Sequence, residues 1–169
     1  MAKPHRMYKK VDQKAYSRKE YIRGKPQLLI TKFQQGKLIP EKTKETYTIQ
    51  VLSLEKAQIR NYSLEAFRRA LVKRLSVFSE TSFFFKLKLY PHIFIRENTY
   101  NIRAGADRTS TGMREAFGKI IGLCARVKRN QTILEGTFLK KIPLARLKLA
   151  FKTSFCKLPI KCYLKLCKI

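Results

Sequence analysis

The 169 residues read as an α+β domain, and three patterns carry that reading. Several short runs alternate apolar and polar residues with period two, as half-buried strands do. Two longer stretches repeat apolar residues every three or four positions, as amphipathic helices do. One stretch rich in glycine and arginine follows neither period. The expected architecture is a compact single domain: a mixed or antiparallel sheet, two helices packed on it, and one long loop.

Residues 1–26 read as an irregular basic arm, with Tyr8, Tyr16 and Tyr21 interleaved among Lys9, Lys10, Arg18, Lys19 and Arg23. Rings that stack on bases beside cations that meet phosphates suit RNA, and a solvated tail whose tyrosines pack on the body fits equally well. The remainder, 27–169, is expected to form the single α+β domain, with the loop at 98–122. β-Branched and aromatic residues predict strands at Gln27–Phe33 and Thr46–Leu52, and Gly36 and Pro40 punctuate the turn between them.

The period then changes. Asn61 and Ser63 stand as N-cap candidates, and Glu65 falls in the first helical turn, where a carboxylate favours the dipole. Leu64, Phe67, Leu71, Leu75 and Phe78 make one apolar stripe, with Arg68, Arg69, Lys73 and Arg74 mostly opposite it. Phe83, Phe85, Leu87 and Leu89 alternate with Lys86 and Lys88. Past Pro91, Ile93 and Ile95 alternate with Phe94 and Arg96, giving two strands or one broken by a bulge. Strand character returns at Leu123–Val127 and Thr132–Phe138. A basic helix follows Pro143, with Leu144, Leu147 and Phe151 on one face, and Ile160, Cys162, Leu164 and Leu166 alternate as a last strand.

Charge narrows the function. Lys and Arg number 38 against 11 Asp and Glu, a formal net charge of +27. The excess is uneven, since residues 100–169 hold sixteen basic and three acidic side chains. Packed without counterions, such a chain repels itself, so a polyanion is expected to neutralise it. Nucleic acid is the commonest such partner, and an anionic membrane surface the second. Yet 44% hydrophobic residues is too many for a disordered basic tail. No apolar run approaches the roughly 20 residues that cross a bilayer. Met1-Ala2-Lys3-Pro4-His5-Arg6 is not followed by a stretch of signal-peptide length, so a cytosolic location is expected. Cys124, Cys156, Cys162 and Cys167 include no Cys-x-x-Cys pair, which favours reduced thiols over a zinc site or a disulfide framework.

The stretch 98–122 contains Gly105, Gly112, Gly118 and Gly122 together with Arg103, Arg108, Arg114 and Lys119. Glycines let backbone approach another surface closely, and cations at this density face an anion. Met113 and Phe117 are placed to insert beside bases. Neither a phosphate-binding Gly-x-x-x-x-Gly-Lys-Ser/Thr loop nor a Gly-x-Gly-x-x-Gly fingerprint is present.

Four blocks then carry a resemblance: Gly105-Ala106-Asp107-Arg108, Thr111-Gly112-Met113-Arg114, Ala116-Phe117-Gly118-Lys119 and Gly122-Leu123-Cys124-Ala125-Arg126-Val127. Ala15 to Gly24 supports it upstream and looks more archaeal than eukaryotic. Ser63-Leu64-Glu65-Ala66, Tyr90-Pro91, Ile95-Arg96-Glu97-Asn98 and Lys161-Cys162-Tyr163 follow in order. The chain resembles the archaeal and eukaryotic branch of the universal large-subunit ribosomal protein family called L-sixteen in bacteria (L-ten-e in this branch). It departs from that family at Ile120, where proline is common, and near Lys25-Pro26, where only Gly24 and Pro26 match a Gly-x-Pro-Gly.

The resemblance implies an α/β hammerhead wedged among large-subunit rRNA helices beside the aminoacyl-tRNA site. Its loop, here Gly105 to Lys119, would reach toward the peptidyl-transferase centre and help position tRNA. Arg103, Arg108, Arg114 and Lys119 would be the chief loop contacts, with Gly105, Gly112, Gly118, Met113 and Phe117 beside them. Arg18 and Arg23 of the arm, and Arg126, Lys128 and Arg129 beyond the loop, complete the expected RNA-binding set. Neighbouring ribosomal proteins are further partners. No cofactor, metal, membrane or small-molecule substrate is expected.

Two other classes fit less well. A tRNA-modifying enzyme or other non-ribosomal RNA-binding factor needs a base or nucleophile. His5 lies in the arm, His92 follows Pro91, and Asp107 has a neighbouring arginine rather than a paired carboxylate. A membrane-active or DNA-packaging protein would use the basic amphipathic segment 139–152, but inside an α+β domain such leucines turn inward.

The charge reading makes a quantitative prediction. With about ten cations on phosphates, the logarithm of the rRNA affinity should fall against log salt with a slope of roughly −7 to −9. A slope near −2 in filter binding would show that charge is not the binding device.

Overall fold

The computed structural model describes Val11 and residues 19–37, 46–97, 113 and 116–167. Eight strands and two helices follow one another in this span: β1 Gln34–Gly36, β2 Thr46–Ser53, β3 Ala57–Arg60, α1 Asn61–Leu75, β4 Phe83–Leu87, β5 Ile93–Glu97, β6 Lys119–Val127, β7 Thr132–Leu139, α2 Leu144–Phe155 and β8 Cys162–Cys167.

The strands form two sheets, antiparallel throughout. Five run in the order β1-β4-β7-β2-β8, and three in the order β3-β6-β5. The α+β class, the two amphipathic helices and the antiparallel sheet are as the sequence predicts. Phe83, Phe85 and Leu87 of β4 point into the core, and Lys86 points out, as strict alternation requires. The helices lie against each other, and Phe151 of α2 meets Phe138 of β7 edge-to-face at 5.8 Å. Phe67 of α1 stacks near Phe155 of α2 at 6.2 Å. Together these rings join both helices to the larger sheet in one apolar cluster.

Backbone sterics and close packing decide two glycines. Gly36 adopts φ +89°, and a Cβ there would lie 2.0 Å from the Phe83 carbonyl oxygen. At Gly136 a Cβ would press on the Phe138 ring at 2.9 Å and on the Phe85 Cβ at 3.0 Å. Only glycine lets β1 and β7 come this close to their neighbours.

Tertiary structure overrides the sequence pattern at several points. Gln27–Phe33 is not a strand, and pairing begins only at Gln34. The reason lies in α1. The Thr31 amide donates to the Glu65 carboxylate instead of to a ladder, and the Thr31 hydroxyl accepts from Arg68 at 3.1 Å. Arg68, expected on the solvent side, is buried. Its guanidinium grips both Glu65 oxygens at 2.7 and 2.9 Å and donates to Gln35 at 3.0 Å.

Neither N-cap candidate caps. β3 runs directly into α1, Arg60 occupies the cap position with no side-chain cap bond, and Asn61 is already helical. From inside the first turn, Asn61 Oδ1 accepts from the Tyr62 amide at 2.9 Å and its Nδ2 donates to the Gln27 carbonyl at 3.4 Å. Lastly, β8 bonds only to β2, and on this edge Leu166 stays 38% exposed, although alternation predicts it inward.

Burial works against ionisation of Glu65, but the hydrogen bond and charge of Arg68, the charge of Arg69 and the Thr31 amide outweigh it. The carboxyl is therefore held below its ordinary range. Glu135 is lowered too, chiefly by Lys88 and then by Gln50, which donates to it at 2.9 Å. For carboxylates depressed in the folded state, the stabilisation is complete above the unfolded pKa and disappears as pH falls through the folded one. Denaturant melts should therefore show stability falling below about pH 4.5, and Glu65→Gln should flatten that dependence. Removing the partner by Glu65→Ala leaves Arg68 buried and uncompensated, and is expected to cost about 3–5 kcal/mol. A loss under about 1 kcal/mol would mean the pair is solvated.

Candidate nucleic-acid interface

The smaller sheet positions the long loop. β5 and β6 form an antiparallel pair with Ile93 opposite Cys124, Phe94 opposite Leu123 and Ile95 opposite Gly122. The register then slips, so that Arg96 faces Ile120 and Glu97 faces Lys119, leaving Ile121 as the extra residue of a bulge. β5 ends at Glu97 and β6 begins at Lys119, and of the residues between them only Met113 and residues 116–118 are among those described. The sequence expectation of a loop extending to 122 is corrected here. Lys119–Gly122 pairs with β5, and the glycine spacing hides that pairing from any periodicity count.

The returning arm is pinned. Arg96 donates from Nε to the Phe117 carbonyl at 3.1 Å and from Nη2 to the Gly118 carbonyl at 2.9 Å. Gly118 itself takes φ +73°, a left-handed turn that L side chains rarely adopt. A rigid root results, and Phe117 stands 66% exposed next to it. Met113 is 82% exposed. Arg96 was not among the expected site residues. In the sequence it belongs to the resemblance motif Ile95-Arg96-Glu97-Asn98, but as an arginine alternating with isoleucines at the end of a strand it reads as an outward surface cation.

The remaining expected residues divide into three groups. Arg18, Arg103, Gly105, Arg108, Gly112 and Arg114 lie outside the described residues. Arg23, Lys119, Lys128 and Arg129 are exposed. Lys128 and Arg129 sit on the turn that passes from the smaller sheet into the larger. Asn130 holds this turn at φ 60°, its amide donates to the Ser53 carbonyl at 2.8 Å, and Gln131 accepts from the Lys128 amide at 2.8 Å. The two cations thus project from a fixed corner. Arg126 differs from both groups: it is half-buried, and its guanidinium donates to the Val11 carbonyl at 3.3 Å, tying the N-terminal segment to β6.

A second aromatic–cation pair was not expected from the sequence. The Arg60 guanidinium lies 5.5 Å from the centre of the Tyr62 ring, which is 57% exposed. The long surface of α2 adds Arg146, Lys148 and Lys152, all exposed. Glu135, the last acid in the chain, is already committed to Lys88 and Gln50. Cations therefore far outnumber acids in the C-terminal part of the chain.

Groups with chemical potential are quiet. Burial pushes the Cys124 thiol up to about 11, against the pull of Arg126 and Arg60, and pushes Cys162 up to about 12. Both stay protonated and unreactive at neutral pH. The exposed Cys156 thiol donates to the Thr153 carbonyl at 2.9 Å. His92 is exposed, with Nδ1 3.1 Å from the Tyr90 carbonyl oxygen.

Comparison with known proteins agrees with this arrangement. The family model described as Ribosomal protein L16p/L10e matches residues 11–165. The chain belongs to this family. It is 40% identical over 160 residues to the large ribosomal subunit protein uL16 of Metallosphaera sedula, covering 94% of this chain and 90% of that one. Against the protein of the same name from Hyperthermus butylicus it is 42% identical over 164 residues, covering 94% and 89%. The Thermoplasma volcanium protein, again so named, is 37% identical over 163 residues, covering 96% and 90%. The L16p/L10e proteins are ribosomal structural proteins and not enzymes.

If the Arg96 clamp sets the loop root, Arg96→Ala should loosen it while leaving the core intact. The expected loss is about 1–2 kcal/mol, with faster amide exchange at Ile120 and Ile121. Unchanged exchange there would mean that the bulge alone holds the root.

Proposed function

We propose that this chain is a structural constituent of the large ribosomal subunit. It binds rRNA beside the aminoacyl-tRNA site and extends loop 98–118 toward the peptidyl-transferase centre to help position tRNA. One observation carries the reading: a hairpin root clamped by Arg96 presents Phe117 and Met113 to solvent on a body whose cations far outnumber its acids. A stiff root with exposed apolar tips suits stacking on unpaired bases, and the surrounding cations suit phosphates. The relatives' printed names and the match over nearly the whole chain support the ribosomal setting.

In this reading residues 1–26 act as a basic arm that follows rRNA, with Arg18 and Arg23 on phosphates. Lys128 and Arg129 meet a separate stretch of backbone, and Arg126 serves the protein's own N-terminal segment as well as any RNA. Arg103, Arg108, Arg114 and Lys119 form the loop's cationic flank, and Gly105, Gly112 and Gly118 let it pass close to RNA. Neighbouring ribosomal proteins share the remaining surface, and the assembled particle works in the cytoplasm.

Sedimentation tests the class. At modest and at high salt the protein should travel with the large subunit, and a chain left at the top of the gradient would overturn the proposal. Shortening the loop within 104–115 tests the role. Incorporation should persist, while aminoacyl-site tRNA binding weakens by about tenfold or more, equivalent to ~1.4 kcal/mol. Failure to incorporate would mean that the loop serves assembly first.

A further inference from the structure

The helix pair leaves an apolar groove that shares only Arg146 with the cationic surface described above. Where the C-terminal end of α1 meets α2, an open cavity of about 360 Å³ is floored by Val77, Phe78, Leu149 and Ala150 and flanked by Arg74 and Arg146. Val77 is 76% and Leu149 61% exposed, so two aliphatic side chains stand in solvent within one depression.

The floor's chemistry discriminates among occupants. The one hydroxyl lining it, Thr153, is spent on its own helix, with Oγ 2.8 Å from the Leu149 carbonyl and 3.1 Å from that of Ala150. In the floor an RNA base edge would therefore find no free donor and, as acceptor, only the Thr153 oxygen, whereas sequence-reading of RNA depends on several such contacts. A second copy of this chain would bring a surface of the same strong positive charge. No acidic side chain lines the groove, and both flanking residues are arginines, the residue enriched at protein interfaces around apolar anchors. That combination complements an apolar ridge bordered by carboxylates.

We propose that this groove docks a segment of a neighbouring protein, an amphipathic helix or turn that seats leucine-like side chains on Val77 and Leu149. Its flanking Asp or Glu residues meet Arg74 and Arg146. The proposal rests on the ribosomal reading for the partner's whereabouts, but its chemistry is independent of that reading.

Two arms test it. In the first, full-length chain carrying Leu149→p-benzoylphenylalanine is assembled into large subunits and irradiated. A cross-link to one protein segment, with apolar residues three or four apart and acidic flanks, is the expected product. A cross-link to rRNA, or none, would overturn the proposal.

The second arm uses the free full-length chain and two designed helical peptides of equal negative charge, one with leucines at i, i+3 and i+7 and one with serines there. The leucine peptide should bind about tenfold tighter or better. Leu149→Asp and Val77→Asp, both at exposed positions, should abolish that difference. Equal affinities for the unsubstituted chain would sink the idea. Should the chain never enter large subunits, the ribosomal reading fails, and the peptide pair alone decides the groove.

Discussion

A net charge of +27 on 169 residues is the constraint to which the rest of the molecule answers. Self-repulsion of that size opposes any compact state, so attraction must come from elsewhere. Part of it comes from an apolar cluster in which Phe67, Phe83, Phe85, Phe138 and Phe151 are fully buried. Another part comes from the way scarce acids are used. Glu65 holds the buried Arg68 and the exposed Arg69 within α1 and, through the Thr31 amide, ties segment 27–33 to that helix, while Glu135 holds Lys88 across the β4–β7 pair. Cations still outnumber acids by 27, and that surplus is what a phosphate lattice would neutralise.

Seen in this light, the two sheets have different work. The five-stranded sheet and the helices make most of the core, to which Ala57 and Ile59 of β3 and Ala125 and Val127 of β6 add. The three-stranded sheet is also a bracket: β5 and β6 flank residues 98–118, and a bulge and the Arg96 clamp hold Phe117 and Gly118 against the end of β5. The turn carrying Lys128 and Arg129 joins bracket to core through hydrogen bonds with Ser53. Exposed cations at that corner and exposed apolar side chains near the loop root are thus held on a common rigid base.

Much of the fold was legible in the pattern of single residues. Phe83, Phe85 and Leu87 alternate with outward cations, and Leu64, Phe67, Leu71 and Leu75 repeat at helical spacing. In both cases the apolar residues that the periods single out are buried. The errors share one cause. Gln27–Phe33 looks like a strand because its side chains favour one, yet the Thr31 amide is taken by Glu65. Arg68 sits where a helical wheel puts solvent, yet segment 27–35 folds over it and supplies Thr31 and Gln35. In each, a partner distant in sequence claims a group whose local signal points elsewhere. The functional surface shows the same division, since Phe117 and Gly118 stood out as site residues while Arg96, named only within a motif, gave no sign that it anchors them.

By itself the sequence determined the α+β class, the membership of both helices, the cationic surface and the family, because each is written in local period, composition or contiguous motif. Only the tertiary structure decided which arginines are spent inside and which face out, where the loop ends, and that an apolar groove stays open between the helices. Those outcomes depend on which distant residues come within hydrogen-bonding or packing distance. Interaction energy at a few ångströms exceeds the weak preferences of any single stretch of chain.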